Sequence, residues 1–114
     1  MIISVYEIIE VAAYTKAIKK LAKKYRHIDE DIDNFLENVL SEDDLGISLG
    51  DDVYKVRIAN SDKQKGKSSG YRLITYLKFV DNELYLLYIY DKSDLASLSE
   101  HEIDRLIKEQ IDVY

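Results

Sequence analysis

The clearest signal for the fold lies in residues 71–91, which read YRLITYLKFVDNELYLLYIYD. β-branched and aromatic residues dominate both halves of this segment, as is typical of strands. Asp81 and Asn82 interrupt the apolar pattern, and such residues tolerate the positive φ of a tight hairpin turn. We therefore expect two antiparallel strands, over 71–80 and 83–91, and the second is apolar enough to lie inside the sheet.

A third strand is predicted upstream, over residues 53–59, where apolar and polar side chains alternate. Because side chains along a strand point to opposite faces in turn, one face is apolar and the other carries Lys55 and Arg57. Residues 60–70 contain no large apolar side chain and are predicted to form an exposed loop. Gly46 and Gly50 indicate a second loop before this strand.

Helical periodicity is found on both sides of these strands. Residues 2–11 are predicted to form a first strand. Apolar residues then recur at helical spacing from Tyr14 to Tyr25 and from about Asp29 to Leu40, which predicts two helices with a break at His27. We expect these two helices to form a hairpin on the sheet. The apolar positions of the second helix are Ile28, Ile32, Phe35, Leu36, Val39 and Leu40.

A last short helix is predicted after the strands, because Ser99 and Glu102 have the spacing of a capping box. The order of elements then indicates an α+β fold. It consists of a small, mostly antiparallel sheet with an N-terminal helical hairpin on one face and a short C-terminal helix. We expect the helices to lie on one face.

Length and composition limit the possible classes of protein. The 114 residues predict a single domain, 1–114, and the absence of Cys excludes a disulfide scaffold, a thiol nucleophile and a Cys-ligated metal. No apolar run approaches the roughly 18 residues of a membrane span, and no signal peptide is recognisable. We therefore expect a cytoplasmic protein that does not contact a membrane.

Charge is segregated along the chain, although the formal net charge is only -6. Residues 16–26 contain six basic residues and no acid, residues 27–52 contain ten acids and no Lys or Arg, and residues 53–72 contain six basic residues and one acid. Two basic blocks on an acidic background can bind a polyanion locally. The alternative is that these blocks are merely solvated surfaces.

The predicted strand phases bring part of this basic charge together. Arg57, Arg72, Tyr90 and Lys92 would converge on one face of the sheet, next to the loop lysines. Arg and Lys bind phosphate in complementary ways, and Tyr provides a stacking surface for unpaired bases. We expect contacts with the phosphates and unpaired bases of a nucleic acid from five residues: Lys55, Lys63, Lys65, Lys67 and Tyr76.

Other chemistries lack the required residues. His27 and His101 are the only histidines, and neither belongs to an array with metal-ligand spacing. Ser68 and Ser69 have no nucleophile-elbow context, and the loop carries no phosphate-binding Gly motif. We expect no metal and no cofactor.

Four segments of the chain form a recognisable set: KLAKKY (20–25), VYKVRI (53–58), GKSSGYRLITY (66–76) and LLYIYDKSD (86–94). Taken together they resemble the RelE/ParE superfamily of toxins from type II toxin–antitoxin systems, in particular its HigB-like branch. The resemblance extends from the first strand to the last helix.

This resemblance implies a ribosome-dependent mRNA endonuclease that arrests translation and is held inactive by a cognate antitoxin. The implied reaction is metal-independent attack of a ribose 2′-OH on the adjacent phosphate. The residues that match the family's basic positions are Arg57, Lys65, Lys67, Arg72 and Lys92, and Tyr90 would stack on a base or orient a phosphate. Alternatives are a gyrase-directed, ParE-like toxin and a degenerate homologue that only binds an antitoxin.

Overall fold

The computed structural model describes residues 5–63, 69–95 and 97–111. These residues form three α-helices and five strands in the following order: β1 (Glu7–Glu10), α1 (Ala12–Ala22), α2 (Ile28–Glu37), β2 (Ile47–Gly50), β3 (Val53–Ile58), β4 (Tyr71–Lys78), β5 (Glu83–Asp91) and α3 (Glu100–Gln110). None of the helices in this part of the chain combines the length and the apolar character that crossing a membrane requires.

The five strands form one sheet in the order β1-β5-β4-β3-β2. All neighbouring pairs are antiparallel except β1 and β5, which are parallel. The predicted α+β class with a mostly antiparallel sheet is therefore confirmed. The interior position of β5, between β1 and β4, is confirmed as well, and it explains why Leu84, Leu86 and Leu87 are fully buried.

The N-terminal helical hairpin forms as its apolar stripes predict. Tyr14 and Leu21 of α1 are buried, as are Ile28, Ile32 and Leu36 of α2. The hairpin contributes to the core beneath the sheet because these side chains repeat at helical spacing.

The connection between the two helices lies at the predicted break. His27 stands immediately before α2, and Tyr25 of the connection packs edge-on against Tyr71, with ring centroids 5.9 Å apart. The C-terminal boundary of α2 was predicted less well. The helix ends at Glu37, and Leu40, which was predicted to face inward, is 70% exposed.

Helix α3 lies across the opposite face of the sheet, so the prediction that all helices share one face is wrong. Val53 and Lys55 alternate with the side chains that face α2, and they line a cavity of about 200 Å³ together with Ile103 and Ile107 of α3. The predicted N-cap is confirmed, since the backbone N–H of Glu102 donates to the Ser99 hydroxyl at 3.1 Å.

Two further differences concern turns. The segment around Gly46 and Gly50 contains a short edge strand, β2, which pairs with β3 where only a loop was predicted. The connection between β4 and β5 is also longer than a two-residue turn. Residues 79–81 form a 3₁₀ turn, and Asn82 follows with a φ of 55°.

The predicted first strand is confirmed only over Glu7–Glu10, and residues 1–4 lie outside the described part of the chain.

Candidate functional site

The register of the three longest strands brings Arg57, Arg72 and Tyr90 into one row. Arg57 of β3 is paired with Arg72 of β4, which is paired in turn with Tyr90 of β5. Directly paired residues project from the same face, and adjacent strands lie about 4.8 Å apart. The predicted strand phase is therefore confirmed, and the row places two arginines and a tyrosine on adjacent strands of the same face.

The two arginines of this row differ in exposure. Arg57 is exposed to solvent, whereas Arg72 is only 5% exposed. The Arg72 guanidinium group donates to the backbone carbonyl oxygens of Gly70 at 3.4 Å and Tyr71 at 3.3 Å. Arg57 is thus available to a phosphate group that approaches from solvent, whereas the Arg72 side chain is held against the start of β4.

Tyr90 is also buried, at 4% exposure, with its hydroxyl beside the backbone of Leu98 and the side chain of Ser97. The hydroxyl makes no well-formed hydrogen bond within the described residues. Burial raises the pKa of Tyr90, although the Leu98 backbone, Arg72 and Ser97 partly oppose this effect. The ring therefore carries a neutral phenol at physiological pH, suited to stacking or to hydrogen bonding but not to acting as a base.

Lys92 lies just beyond the end of β5 and is exposed. Its backbone N–H donates to the carbonyl oxygen of Gly70 at 3.1 Å. This bond holds the end of β5 next to the start of β4, where Arg72 is located. The backbone thus positions a flexible cation beside the row of Arg57, Arg72 and Tyr90.

Lys63, a predicted RNA-binding residue, forms an ion pair with Asp91. Its ammonium nitrogen is 2.5 Å from an Asp91 carboxylate oxygen, and it also donates to the Ser69 carbonyl oxygen at 3.3 Å. Asp91 itself is fully buried and accepts further hydrogen bonds from Asn60 and from Ser93. We call this group, Lys63 with Asp91, Asn60 and Ser93, the Lys63–Asp91 clamp.

The electrostatics of the clamp favour both charged states. Burial raises the pKa of Asp91, but the hydrogen bonds from Lys63 and Ser93 outweigh it and hold that pKa below its usual value. Burial lowers the pKa of Lys63, and the contacts with Asp91 and Tyr25 outweigh this effect in the same way. The Lys63 side chain thus connects Asp91, at the end of β5, to the backbone of Ser69, just before β4.

The residues preceding the loop are also fixed to α2. The backbone N–H of His27 donates to Asp62 at 3.1 Å, and the His27 ring nitrogen Nδ1 lies 2.7 Å from the same carboxylate. The hydroxyl and the backbone N–H of Ser61 both donate to Asp31, each at 3.0 Å. Ser61 and Asp62 are therefore anchored to the start of α2.

The remaining predicted site residues are less central. Lys55 is half-buried beside α3, and the half-buried ring of Tyr76 packs against Tyr85 with 5.9 Å between centroids. Both share the face of the row but lie farther along the strands, opposite Ile74 and Val53. Lys65 and Lys67 lie outside the described residues.

Sequence reasoning missed the polar residues that support the site. Asn60, Asp62 and Asp91 were not singled out, because their partners lie 28 to 35 residues away along the chain. The only local signal was their position at the edges of the predicted strands. Over residues 5–63, 69–95 and 97–111, no group of three or more His, Asp or Glu side chains could hold a metal ion.

Comparison with solved structures places the fold beside a known toxin. The chain is similar to the free-state structure of E. coli toxin RelE carrying two arginine-to-alanine substitutions, with a TM-score of 0.55, 17% identity, and coverage of 92% of this chain and 97% of that one. It is similar to the isolated E. coli RelE toxin with a TM-score of 0.51, 18% identity, and coverage of 91% and 98%. At these identities the likeness supports the RelE fold.

No curated protein sequence matches the chain. The family model that describes the RelE toxin of the RelE/RelB toxin–antitoxin system matches residues 12–111. This match includes α1, the four strands β2 to β5 and α3, and it contains the row formed by Arg57, Arg72 and Tyr90. The chain therefore belongs to the RelE toxin family of toxin–antitoxin systems.

Proposed function

We propose that this toxin is a cytoplasmic, ribosome-dependent mRNA endonuclease that is inhibited by a cognate antitoxin. The observation that carries the proposal is the row of Arg57, Arg72 and Tyr90, with Lys92 beside it. A phosphodiester needs a bidentate cation for its non-bridging oxygens and a surface for a neighbouring base. The row offers both on one face of the sheet.

In the proposed reaction the ribose 2′-oxygen attacks the adjacent phosphorus, and the bond from phosphorus to the 5′-oxygen breaks. The products are a 2′,3′-cyclic phosphate and a 5′-hydroxyl group. Arg57 and Arg72 neutralise the charge that develops on the pentacoordinate phosphate. We propose that Lys92 donates a proton to the departing 5′-oxygen and that Lys67 adds a further cation.

The row contains no general base, because arginine is always protonated and Tyr90 holds a neutral phenol. The 2′-hydroxyl proton therefore passes to solvent, which makes the isolated protein a slow catalyst. A ribosome that holds the strand with its 2′-oxygen in line would supply the missing rate by orientation. The need for an external group to orient the strand supports cleavage on the ribosome over cleavage of free RNA.

The proposal gives Lys63 a positioning role in place of the predicted contact with RNA. Its ammonium group is occupied by Asp91 and by the Ser69 carbonyl oxygen. Lys55, Lys65, Lys67 and Tyr76 remain proposed RNA contacts. The assignment to the HigB-like branch remains a prediction.

The burial of Arg72 and Tyr90, at 5% and 4% exposure, favours a second candidate function. In this alternative the chain binds its antitoxin but does not cleave RNA, because Arg72 and Tyr90 are covered. In the leading proposal, Ser97 and Leu98 must move off Tyr90 before a strand can stack there. Cleavage by folded protein distinguishes the two functions.

The decisive experiment maps mRNA cleavage by primer extension, with and without programmed ribosomes. We expect cuts only with ribosomes, and we expect Arg57→Gln to reduce them at least tenfold. Arg105→Gln is the matched control, since Arg105 is an equally charged, exposed residue on α3. Cleavage that survives Arg57→Gln, or a folded protein that cleaves nothing, contradicts the proposal. Inhibition of gyrase supercoiling would instead support the ParE-like alternative.

A further inference from the structure

The basic surface formed by α1 and the four residues that follow it has no role in the site described so far. Residues 16–26 contain six basic side chains, all exposed, and no acid. The ion pair between Lys24 and Asp94, at 3.8 Å, is the only one that the described residues form with this surface. Such a surface on a protein of net charge -6 carries a strong local positive potential.

A groove of about 440 Å³ separates α1 from β5. Lys20 and Lys24 line it on the side of α1, and Tyr88 and Tyr90 line it on the side of β5. The two tyrosine rings lie 6.4 Å apart at an interplanar angle of 35°. Asp91 and Asp94 line the groove as well, and each is paired with a lysine: Asp91 with Lys63 and Asp94 with Lys24. Two flexible cations therefore flank a floor on which Tyr88 offers accessible ring surface and Tyr90 is buried.

The groove is continuous with the proposed cleavage site. Tyr90 lines the groove and is paired across the sheet with Arg72, which is paired with Arg57. Once Ser97 and Leu98 have moved off Tyr90, which is 4% exposed, a strand whose phosphate lies on the two arginines can extend over Tyr90 into the groove. Cations along the walls and aromatic rings on the floor are the combination that binds single-stranded nucleic acid.

The aromatic floor distinguishes RNA from an acidic peptide as the occupant. Lysines attract phosphates and carboxylates alike, but the face of an aromatic ring is electron-rich and does not attract a carboxylate. An unpaired base, by contrast, stacks on such a face. Tyr88 is half-buried, so part of its ring remains available to a base.

We propose that the groove between α1 and β5 binds the mRNA segment that flanks the cleaved phosphate. Lys20 and Lys24 contact backbone phosphates, and Tyr88 stacks on a base. This inference rests on the proposed function and extends it, because it names a second contact of the substrate strand. It also gives the lysine-rich end of α1 a direct role in substrate binding.

The test measures binding of the full-length protein to a 2′-O-methyl RNA of about 12 nucleotides, a length within the range of single-strand sites. This probe has no free 2′-hydroxyl and cannot be cleaved by the proposed reaction. Fluorescence anisotropy over a salt series gives the slope of log K against log salt. For Lys20→Gln combined with Lys24→Gln, we expect the slope to fall by about 1.4, since each phosphate contact with a single strand contributes about 0.7.

Lys19→Gln combined with Lys23→Gln is the matched control, because these exposed lysines belong to the same helical region but do not line the groove. We expect this control to leave the slope nearly unchanged. Equal losses in both double variants would overturn the proposal, since they would reflect general charge attraction. Polyglutamate that displaces the RNA as effectively as unlabelled RNA does would overturn it as well.

Tyr88 tests the aromatic part of the proposal. Tyr88→Ser should weaken binding about tenfold without changing the salt slope, whereas Tyr88→Phe should retain the affinity. Loss of affinity in both variants would contradict stacking.

Ribosome-dependent cleavage by the unmodified protein is measured in parallel. If cleavage is present but the lysine variants bind normally, the groove proposal fails alone; if cleavage is absent, the proposed function fails and the binding data still test the groove.

Discussion

Asp91 is a fully buried carboxylate that depends on the ammonium group of Lys63. Removing one partner of a buried ion pair leaves an uncompensated charge. We expect Lys63→Met to lower the free energy of unfolding by about 3 kcal/mol, as measured by urea denaturation. Lys24→Met is the control, because it breaks the exposed ion pair with Asp94 at 3.8 Å and should change stability little. Similar small effects in both variants would contradict the structural role of the clamp.

The contact between His27 and Asp62 makes stability depend on pH. The hydrogen bond to Asp62 raises the pKa of His27 above its ordinary value of 6.5, and the same bond lowers the pKa of Asp62 below 3.8. The stabilisation from a raised histidine pKa is fully present below 6.5 and is lost as the pH rises through the folded-state value. The stabilisation from Asp62 is present above 3.8 and is lost as the pH falls through its folded-state value.

Asp62→Asn should therefore cost more stability near pH 6 than near pH 9, a window that spans histidine titration. Denaturant unfolding of both proteins at the two pH values measures this difference. Part of the cost persists at high pH, since the His27 backbone N–H also donates to Asp62. His101→Gln, which removes the other histidine, should leave the pH dependence intact. A cost independent of pH would show that the ring nitrogen does not hold Asp62.

At the level of secondary-structure elements, Gly46 and Gly50 bracket the edge strand β2 and provide a matched pair. Both have positive φ, at 88° and 90°. A Cβ at Gly46 would lie 2.3 Å from the Lys55 carbonyl oxygen, whereas a Cβ at Gly50 would meet no atom within 4 Å. We expect Gly50→Ala to cost about 1–2 kcal/mol from backbone strain. Gly46→Ala should cost clearly more, because the backbone of β3 has to shift. Chemical denaturation measures both, and equal costs would contradict this account.

The strands also show which features were predictable from sequence. The row of Arg57, Arg72 and Tyr90 follows from period-two alternation, which fixes the face of every side chain once the strands are recognised. Strand β2 was missed because its four residues, Ile47–Gly50, carry too short a pattern, and its pairing with β3 is a tertiary contact. The stripe on α3 predicted a buried side but could not indicate which face of the sheet would cover it.

The sequence allowed us to predict which cationic residues belong to the site, but not how exposed to solvent each of them is. Arg57 and Arg72 were identified from strand phase, but nothing in the sequence indicated that one would be exposed and the other 95% buried. Lys63 was grouped with the loop lysines by charge. Its ion pair with Asp91, 28 residues farther along the chain, exists only because the fold brings the end of β5 to the base of the loop.

For the whole molecule, we expect the acidic net charge not to oppose the proposed RNA binding at physiological salt. The protein measures 40 × 31 × 22 Å, whereas electrostatic screening acts over about 8 Å at 0.15 M salt and about 30 Å at 0.01 M. At physiological salt we expect a bound strand to respond to the groove lysines and the arginine row. We expect Asp29, Asp33 and Glu37 of α2, which do not line the cavity beside Arg57, to act on the strand only when salt is low. Asp29 and Asp33 line a different cavity, beside Tyr14.

Electrostatic screening determines how a charge-reduced variant should bind RNA. Asp29→Asn, Asp33→Asn and Glu37→Gln together change three exposed residues of α2 and bring the formal net charge from -6 to -3. Anisotropy with the same 2′-O-methyl RNA should show tighter binding than the unmodified protein at about 0.01 M salt and nearly equal binding at about 0.15 M, since screening separates these acids from the strand. An equal gain at both salt concentrations would mean that α2 contacts the RNA directly. The path of the strand would then run over the helical hairpin and not across the arginine row.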